Sequence, residues 1–138
     1  MENKNIWHLC DHDTSNQLEL HEDNRGKIKD IFYNQNIKHI AMITSKPNVI
    51  RGNHYHKDAT QHILITKGSL EYWYKKLNSN ESAQHILMRK GDFVTTPNYE
   101  IHALKILSEG CDFIAFSEGL RGGKDYEKDT FRVESIIK

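Results

Sequence analysis

Apolar and polar residues alternate along most of the chain in short runs, and the runs are separated by residues that favour turns. "KIKDIFY" (27–33) follows "EDNRG", whose Asn-Arg-Gly favours a tight turn, and "IKHIAMIT" (37–44) ends before "SKPN". "QHILITKGSLEYWYKK" (61–76) predicts two strands joined at Lys67-Gly68, and "LNSNES" predicts a loop. "HILMR", the turn "KGD", "FVTTP", "HALKIL", the turn "SEG" and "CDFIAFS" complete the series. Seven or eight short strands at this regular spacing predict an all-β sandwich or barrel. Only about the first twenty residues read as helical or irregular. The tail, "EGLRGGKDYEKDTFRVESIIK", has a Gly-rich, charged first half and then "TFRVESII", a further edge-strand pattern. The tail reads as a surface loop and edge strand, or as a segment that closes over a site or a dimer partner.

Strand alternation also sorts the polar residues. In "RGNHYHKDATQHILITKG" (51–68), His54 and His56 lie two apart and share a face, with Tyr55 on the opposite one. The next run places Gln61, Ile63 and Ile65 on one face and His62, Leu64 and Thr66 on the other. Gln61 thus stands at the mouth of an apolar face, where an unsatisfied amide costs about 1–3 kcal/mol. Farther on, His102, Leu104 and Ile106 share a face in the same way. Three imidazoles and an amide oxygen converging on one point suit a borderline divalent ion, with a position left open to water or substrate. Zn, Ni, Fe or Mn is the expected class, and no organic cofactor is expected. Such a set is neutral and would leave the ion its full positive charge.

The remaining candidates are weaker. Arg51 is a candidate substrate-binding residue, since its planar fork binds phosphate or carboxylate, or else it pairs with an acid on the rim. Tyr72 and Tyr74 share a strand face and Tyr99 precedes His102; all three are candidate substrate contacts, and a tyrosine hydroxyl at a cavity can donate a proton. Glu100 is second-rank. His8, His12, His21, His39, His62 and His85 show no companion pattern and read as surface or core filler.

Composition narrows the function class. The 138 residues fit one domain, with a core barrel over about 27–117 and a C-terminal extension over 118–138. Lys plus Arg and Asp plus Glu number 19 each, so no overall field favours nucleic acid or an anionic membrane, and neither partner is expected. No apolar run approaches the length of a membrane span. The start, "MENKNIWHLCDHD", lacks the layout of a signal peptide, so a cytoplasmic protein is expected. Cys10 and Cys111 show no metal or redox spacing and are expected to be structural.

These residues resemble the cupins. The first cupin motif, G-x5-H-x-H-x3,4-E-x6-G, is matched by His54-x-His56-x4-Gln61-x6-Gly68, with Gln in the Glu position and Asn48 in that of the opening Gly. The second, G-x5-P-x-G-x2-H-x3-N, is matched by Gly91-x5-Pro97-x-Tyr99-x2-His102-x3-Ile106, with its later Gly and Asn replaced. The resemblance implies a single-domain, antiparallel jelly-roll β-barrel that pairs as a homodimer. Arg51, Gly52, His54, His56, Lys57, Gln61, Gly68 and Ser69 are also similar to the nucleotide-linked 4-keto-sugar 3,4-ketoisomerases of surface-polysaccharide biosynthesis. That likeness implies that His54 and His56 handle protons without a metal. His102 departs from it, and metal-bearing sugar cupins with a His, His, Gln, His set imply instead that His54, His56, Gln61 and His102 hold an ion. The function implied is isomerase or epimerase chemistry on a sugar or sugar nucleotide. A metal-dependent cupin dioxygenase and a non-catalytic sugar-binding cupin are the alternatives.

Overall fold

The computed structural model describes residues 6–8, 20–119, 122–125 and 127–138. Ten strands are formed: β1 (Ile6–His8), β2 (Leu20–Asp23), β3 (Gly26–Lys29), β4 (His39–Ser45), β5 (Ile50–Tyr55), β6 (Gln61–Lys76), β7 (Gln84–Arg89), β8 (Asp92–Thr96), β9 (Glu100–Ser117) and β10 (Phe131–Arg132). One 3₁₀ turn spans Gly123–Asp125. Among the described residues no helix is long and apolar enough to cross a membrane. β2 and β3 make a separate hairpin; the other eight strands form one antiparallel sheet in the order β1-β8-β6-β9-β5-β10, with β4 added to β9 and β7 to β6. This is the antiparallel cupin architecture that the two motifs imply.

β6 and β9 are the spine, and here the structure corrects two expected turns. Lys67-Gly68 and Ser108-Glu109-Gly110 do not separate strands; β6 runs unbroken for 16 residues and β9 for 18, paired with each other along nearly their whole length. The glycines mark bulges. On β6 the core-facing residues are Ile63 and Ile65 before Gly68 but Leu70 and Tyr72 after it; on β9 they are Leu104 and Ile106 before Gly110 but Cys111, Phe113 and Ala115 after. The inward face switches from odd to even on one strand and from even to odd on the other, as a one-residue bulge requires. Register breaks flank Gly68, which has a φ of +77°, and a Cβ there would lie 2.0 Å from the Gly110 carbonyl oxygen. No other residue type tolerates both the backbone and the approach. Glycine at these positions therefore bends a continuous ribbon rather than reversing it.

The ribbon is buried on both faces. Inside lies the core of Ile65, Leu70, Met88, Val94, Ile106 and their neighbours. Outside, Ile136 of the C-terminal tail packs on Trp73, Ile101 and Ala103, and Phe32 with Ile31 and Ile37 packs on Phe93 and Phe116. The "TFRVESII" segment does become an edge strand: β10 pairs with β5, setting Arg132 beside His54 and Phe131 beside Tyr55. Cys111 is a buried free thiol, and burial pushes its pKa up to about 11, so it is inert packing. At the N-terminus, β1 replaces the helical or irregular reading at Ile6–His8, where pairing with β8 satisfies the backbone. Cys10, His12 and the remaining N-terminal positions lie outside the described residues.

Candidate functional site

One face of β5 and the facing end of β9 bring three histidines together. Gly52, at φ +90°, lets β5 approach β9 closely, since a Cβ would meet the His102 carbonyl oxygen at 2.8 Å. Asn53, at φ +57°, takes up the bulge between Gly52 and His54, and His54 then pairs directly with His102. Ring centroids lie 4.9 Å apart for His54 and His56, 4.7 Å for His54 and His102, and 5.2 Å for His56 and His102. One nitrogen of each lies within 4.8 Å of the others, and His56 and His102 are buried. The predicted triad is therefore assembled as the alternation requires.

Tautomers follow from the partners. His56 Nδ1 lies 2.7 Å from the Asp129 carbonyl oxygen and His102 Nδ1 lies 3.2 Å from that of Glu100. A carbonyl only accepts, so each Nδ1 carries the proton and donates it. The lone pair of each ring is then on Nε2, the arrangement in which histidines serve as metal ligands or as bases.

The triad opens on a cavity of about 820 Å³ lined by residues from β4, β5, β6, β8 and β9 together with Gly122 and Arg132. Arg51, His54, Gln61, Tyr72 and His102 line it, whereas His56, 1% exposed, is not among the lining residues. The three histidines of the expected metal set are thus gathered together, and Gln61, which opens β6, lines the same cavity. Three neutral imidazoles and an amide oxygen fit a divalent cation that takes nitrogen and oxygen ligands. No Asp or Glu occurs among the described lining residues, whereas His39, Arg51 and Arg132 do. Arg132 is paired with Glu127 at 2.7 and 3.0 Å, so Arg51 is the lining cation that favours an anionic guest, although the whole chain is neutral.

Tyr72 is 1% exposed, and its hydroxyl is hydrogen-bonded to Thr96 Oγ1 and donates to Glu100 Oε1 at 3.1 Å. Its ring lies parallel to that of His102, 6.4 Å away. Burial, with the Glu100 carboxylate beside it, raises the phenol well above its usual pKa, so it holds its proton and serves as a donor. Arg51 lines the cavity, and its Nε donates to Ser45 Oγ at 2.7 Å and its Nη2 to the Thr44 carbonyl at 2.9 Å. It is held by neutral acceptors on β4, and its charge faces no carboxylate partner at those contacts.

Two expected substrate contacts are not brought to the cavity. Tyr74 shares the face of Tyr72, but its hydroxyl donates to Gln84 Oε1 on β7 at 2.9 Å and its ring packs on the core. Tyr99 sits on the outer side, stacked on Tyr55 at 6.5 Å, and Tyr55 is stacked in turn on Phe131. Asn48 and Tyr99 stand where the cupin motifs have glycine, and both keep the left-handed backbone, at φ +64° and +62°. Conversely, His39, Thr96 and Arg132 line the cavity without having been singled out. His39 leads the alternating series His39, Ala41, Ile43, all three of which line the cavity, and that period was the available signal. His62 is not idle filler: it is buried on the opposite face, with Nδ1 on Thr95 Oγ1 at 2.8 Å and Nε2 on Glu118 Oε2 at 3.0 Å.

A family model described as the polysaccharide biosynthesis C-terminal domain matches residues 21–116. No curated protein matches the chain at a significant level. Among solved structures, a 3,4-ketoisomerase from Helicobacter canadensis is similar at a TM-score of 0.69 and 19% identity, covering 95% of this chain and 92% of that one. A dTDP-4-dehydrorhamnose 3,5-epimerase from Elizabethkingia anophelis is similar at 0.68 and 16%, covering 85% and 72%. The capsular polysaccharide assembling protein CapF from Staphylococcus aureus is similar at 0.64 and 20%, covering 86% of this chain and 34% of CapF. The chain therefore spans about a third of the length of CapF.

Proposed function

The chain belongs to the polysaccharide biosynthesis C-terminal domain family, and from that premise we propose that it is an isomerase or epimerase acting on a nucleotide-linked keto-sugar of surface-polysaccharide biosynthesis. The observation that carries the reading is the histidine triad set beside a buried, proton-holding Tyr72 in a cavity whose described lining holds Arg51 and no carboxylate. Similarity to a 3,4-ketoisomerase and to a dTDP-4-dehydrorhamnose 3,5-epimerase supports it. Arg51 would attract the diphosphate, and His54, His102 and Tyr72, which line the cavity, would face the sugar ring. A cytoplasmic homodimer of a single cupin domain is part of the same proposal.

The chemistry moves a proton on carbon next to a carbonyl. Without an ion, His54, which lines the cavity, would be the base that takes this proton, while Tyr72 donates to the developing enolate oxygen. His54, His56, His102 and Gln61 would hold a divalent ion, which when bound supplies Lewis-acid polarisation of the carbonyl. With the imidazoles so committed, Tyr72 and its partner Glu100 are the groups left to move protons.

The test incubates the purified protein with a panel of nucleoside-diphosphate 4-keto-sugars in D₂O and follows deuterium entry by NMR, before and after chelation. Exchange into the carbon next to the carbonyl, lost in His54→Ala and Tyr72→Phe, is the expected result. Activity that survives chelation assigns the protons to His54, and activity lost on chelation and restored by one metal assigns the four-residue set to an ion. Binding without exchange, or uptake of O₂, would refute the isomerase reading.

A further inference from the structure

The C-terminal tail makes a contact with the site that the sequence motifs do not contain. Asp129 is 8% exposed, and its carboxylate accepts the backbone N–H groups of three consecutive residues. These are Lys57 at 2.7 Å, Asp58 at 3.1 and 3.2 Å, and Ala59 at 2.9 Å. Its carbonyl accepts His56 Nδ1–H at 2.7 Å. One tail residue thus engages all of 56–59, most of the loop that joins β5 to β6 and separates His56 from Gln61. Burial alone would raise the Asp129 carboxyl, but the three N–H donors hold it below the usual carboxylate range.

A local capping role does not account for this. Capping carboxylates accept from N–H groups two or three residues onward in the same turn, whereas these donors lie about seventy residues earlier in the chain. The tail is also pinned beyond Asp129. Lys57 Nζ sits over the Phe131 ring at 4.4 Å, Val133 N–H donates to the Asn53 carbonyl, and Ile136 N–H donates to Asn53 Oδ1. The opposite wall of the same loop is fixed by Tyr99 N–H to the His56 carbonyl at 2.7 Å and by Asn98 Nδ2 to the Lys57 carbonyl at 3.0 Å. β5 and its loop are therefore clamped between the second motif and the tail.

We infer that Asp129 is a positioning residue: its carboxylate locks the 57–59 backbone, and this holds its own carbonyl where it fixes His56 as the Nδ1–H tautomer. The geometry is independent of which substrate is used, while its effect on turnover rests on the isomerase reading above. The tail then belongs to the site, and removing the Asp129 carboxylate lowers whatever His56 Nε2 does. Partners of this kind cost about 10–100-fold in activity or metal affinity when lost.

The experiment uses the full chain with ¹⁵N-labelled histidine. Long-range ¹H–¹⁵N correlations report each ring's tautomer, and hydrogen exchange reports the Lys57, Asp58 and Ala59 amides. In the wild type His56 is expected as a single Nδ1–H tautomer with those three amides protected. In Asp129→Ala the tautomer becomes mixed and the three amides lose protection, while β6 and β9 amides stay protected and kcat falls with KM little changed. Asp129→Asn, which keeps one acceptor oxygen, is expected to fall between the two. A wild-type His56 protonated on Nε2 would overturn the inference even if Asp129→Ala does not fold. A folded Asp129→Ala with the wild-type tautomer and protection would also overturn it. Altered tautomer and protection in a protein that turns over no keto-sugar would uphold the inference and refute the isomerase reading.

Discussion

Tyr72→Phe is the sharpest probe of the cavity, because it deletes one oxygen and almost no volume. The ring stays packed in the core between Leu70 and Tyr74, so no cavity opens and no transfer energy is lost. What is lost is a hydroxyl bonded to Thr96 Oγ1, in a residue 3% exposed, and to Glu100, which is half-buried. Leaving a buried acceptor or donor unmet costs about 1–3 kcal/mol. Both partners lose the hydroxyl, so about 1–2 kcal/mol of stability should go, read as a lower urea midpoint at unchanged slope. If Tyr72 donates the proton in turnover, kcat falls by about 10²–10⁴ at near-constant KM. Glu100→Gln keeps an acceptor for the hydroxyl and should cost far less. A Tyr72→Phe protein that turns over at the wild-type rate would refute the donor role; loss of stability alone would leave Tyr72 as packing.

Arg51→Ala should raise KM for a nucleotide-linked sugar by about 10–100-fold, the scale of one charge-assisted hydrogen bond, and leave the KM for a free sugar unchanged; equal effects on both would remove Arg51 from the diphosphate. His62 has its pKa lowered, chiefly by burial and partly offset by Glu118. Its neutral form is thus favoured in the fold, so stability should fall as pH drops below about 6.5, the unfolded value, until the lower folded value is passed. Urea midpoints compared between wild type and His62→Gln over that range test it, and an identical pH dependence in both would be fatal to it. Gly68→Ala must place a side chain at φ +77° and at 2.0 Å from a backbone oxygen. A loss of about 3 kcal/mol or more is expected by thermal or urea unfolding, and a near-neutral result would mean that the ribbon bends elsewhere.

The triad was legible in the sequence because each part of it obeys strand period over a short stretch. His54 and His56 sit two apart, and Gln61 and His102 each lead an apolar series, so parity alone assigned them to the inward face. Two bulges limited that logic. Gly68 and Gly110 read as turns because turns and bulges ask for the same backbone, and only the switch of inward parity across each glycine tells them apart. Tyr74 shows the other limit: parity gave its face, but Gln84 on the neighbouring strand decided where its hydroxyl went. Tyr99 occupies a glycine position of the motif, and its left-handed backbone turns the ring outward onto Tyr55. Asp129 and Arg132 were out of reach for a plainer reason. Asp129's partners and the strand β10 pairs with are far away in sequence, and nothing local in "EKDTFRV" signals an anchor for the first motif.

The unbroken β6–β9 ribbon also sets when the site can exist during folding. Its central pairs, such as Leu70 with Ile106 and Tyr72 with Leu104, join residues more than thirty apart. Chains dominated by such distant contacts fold slowly, on the millisecond-to-second scale. His54 meets His102 only after β5 has docked on β9, and the tail that holds His56 docks on β5. The chemical centre is therefore a late product of folding, and a chain stalled before its last segment arrives would carry every histidine of the triad without a working arrangement of them.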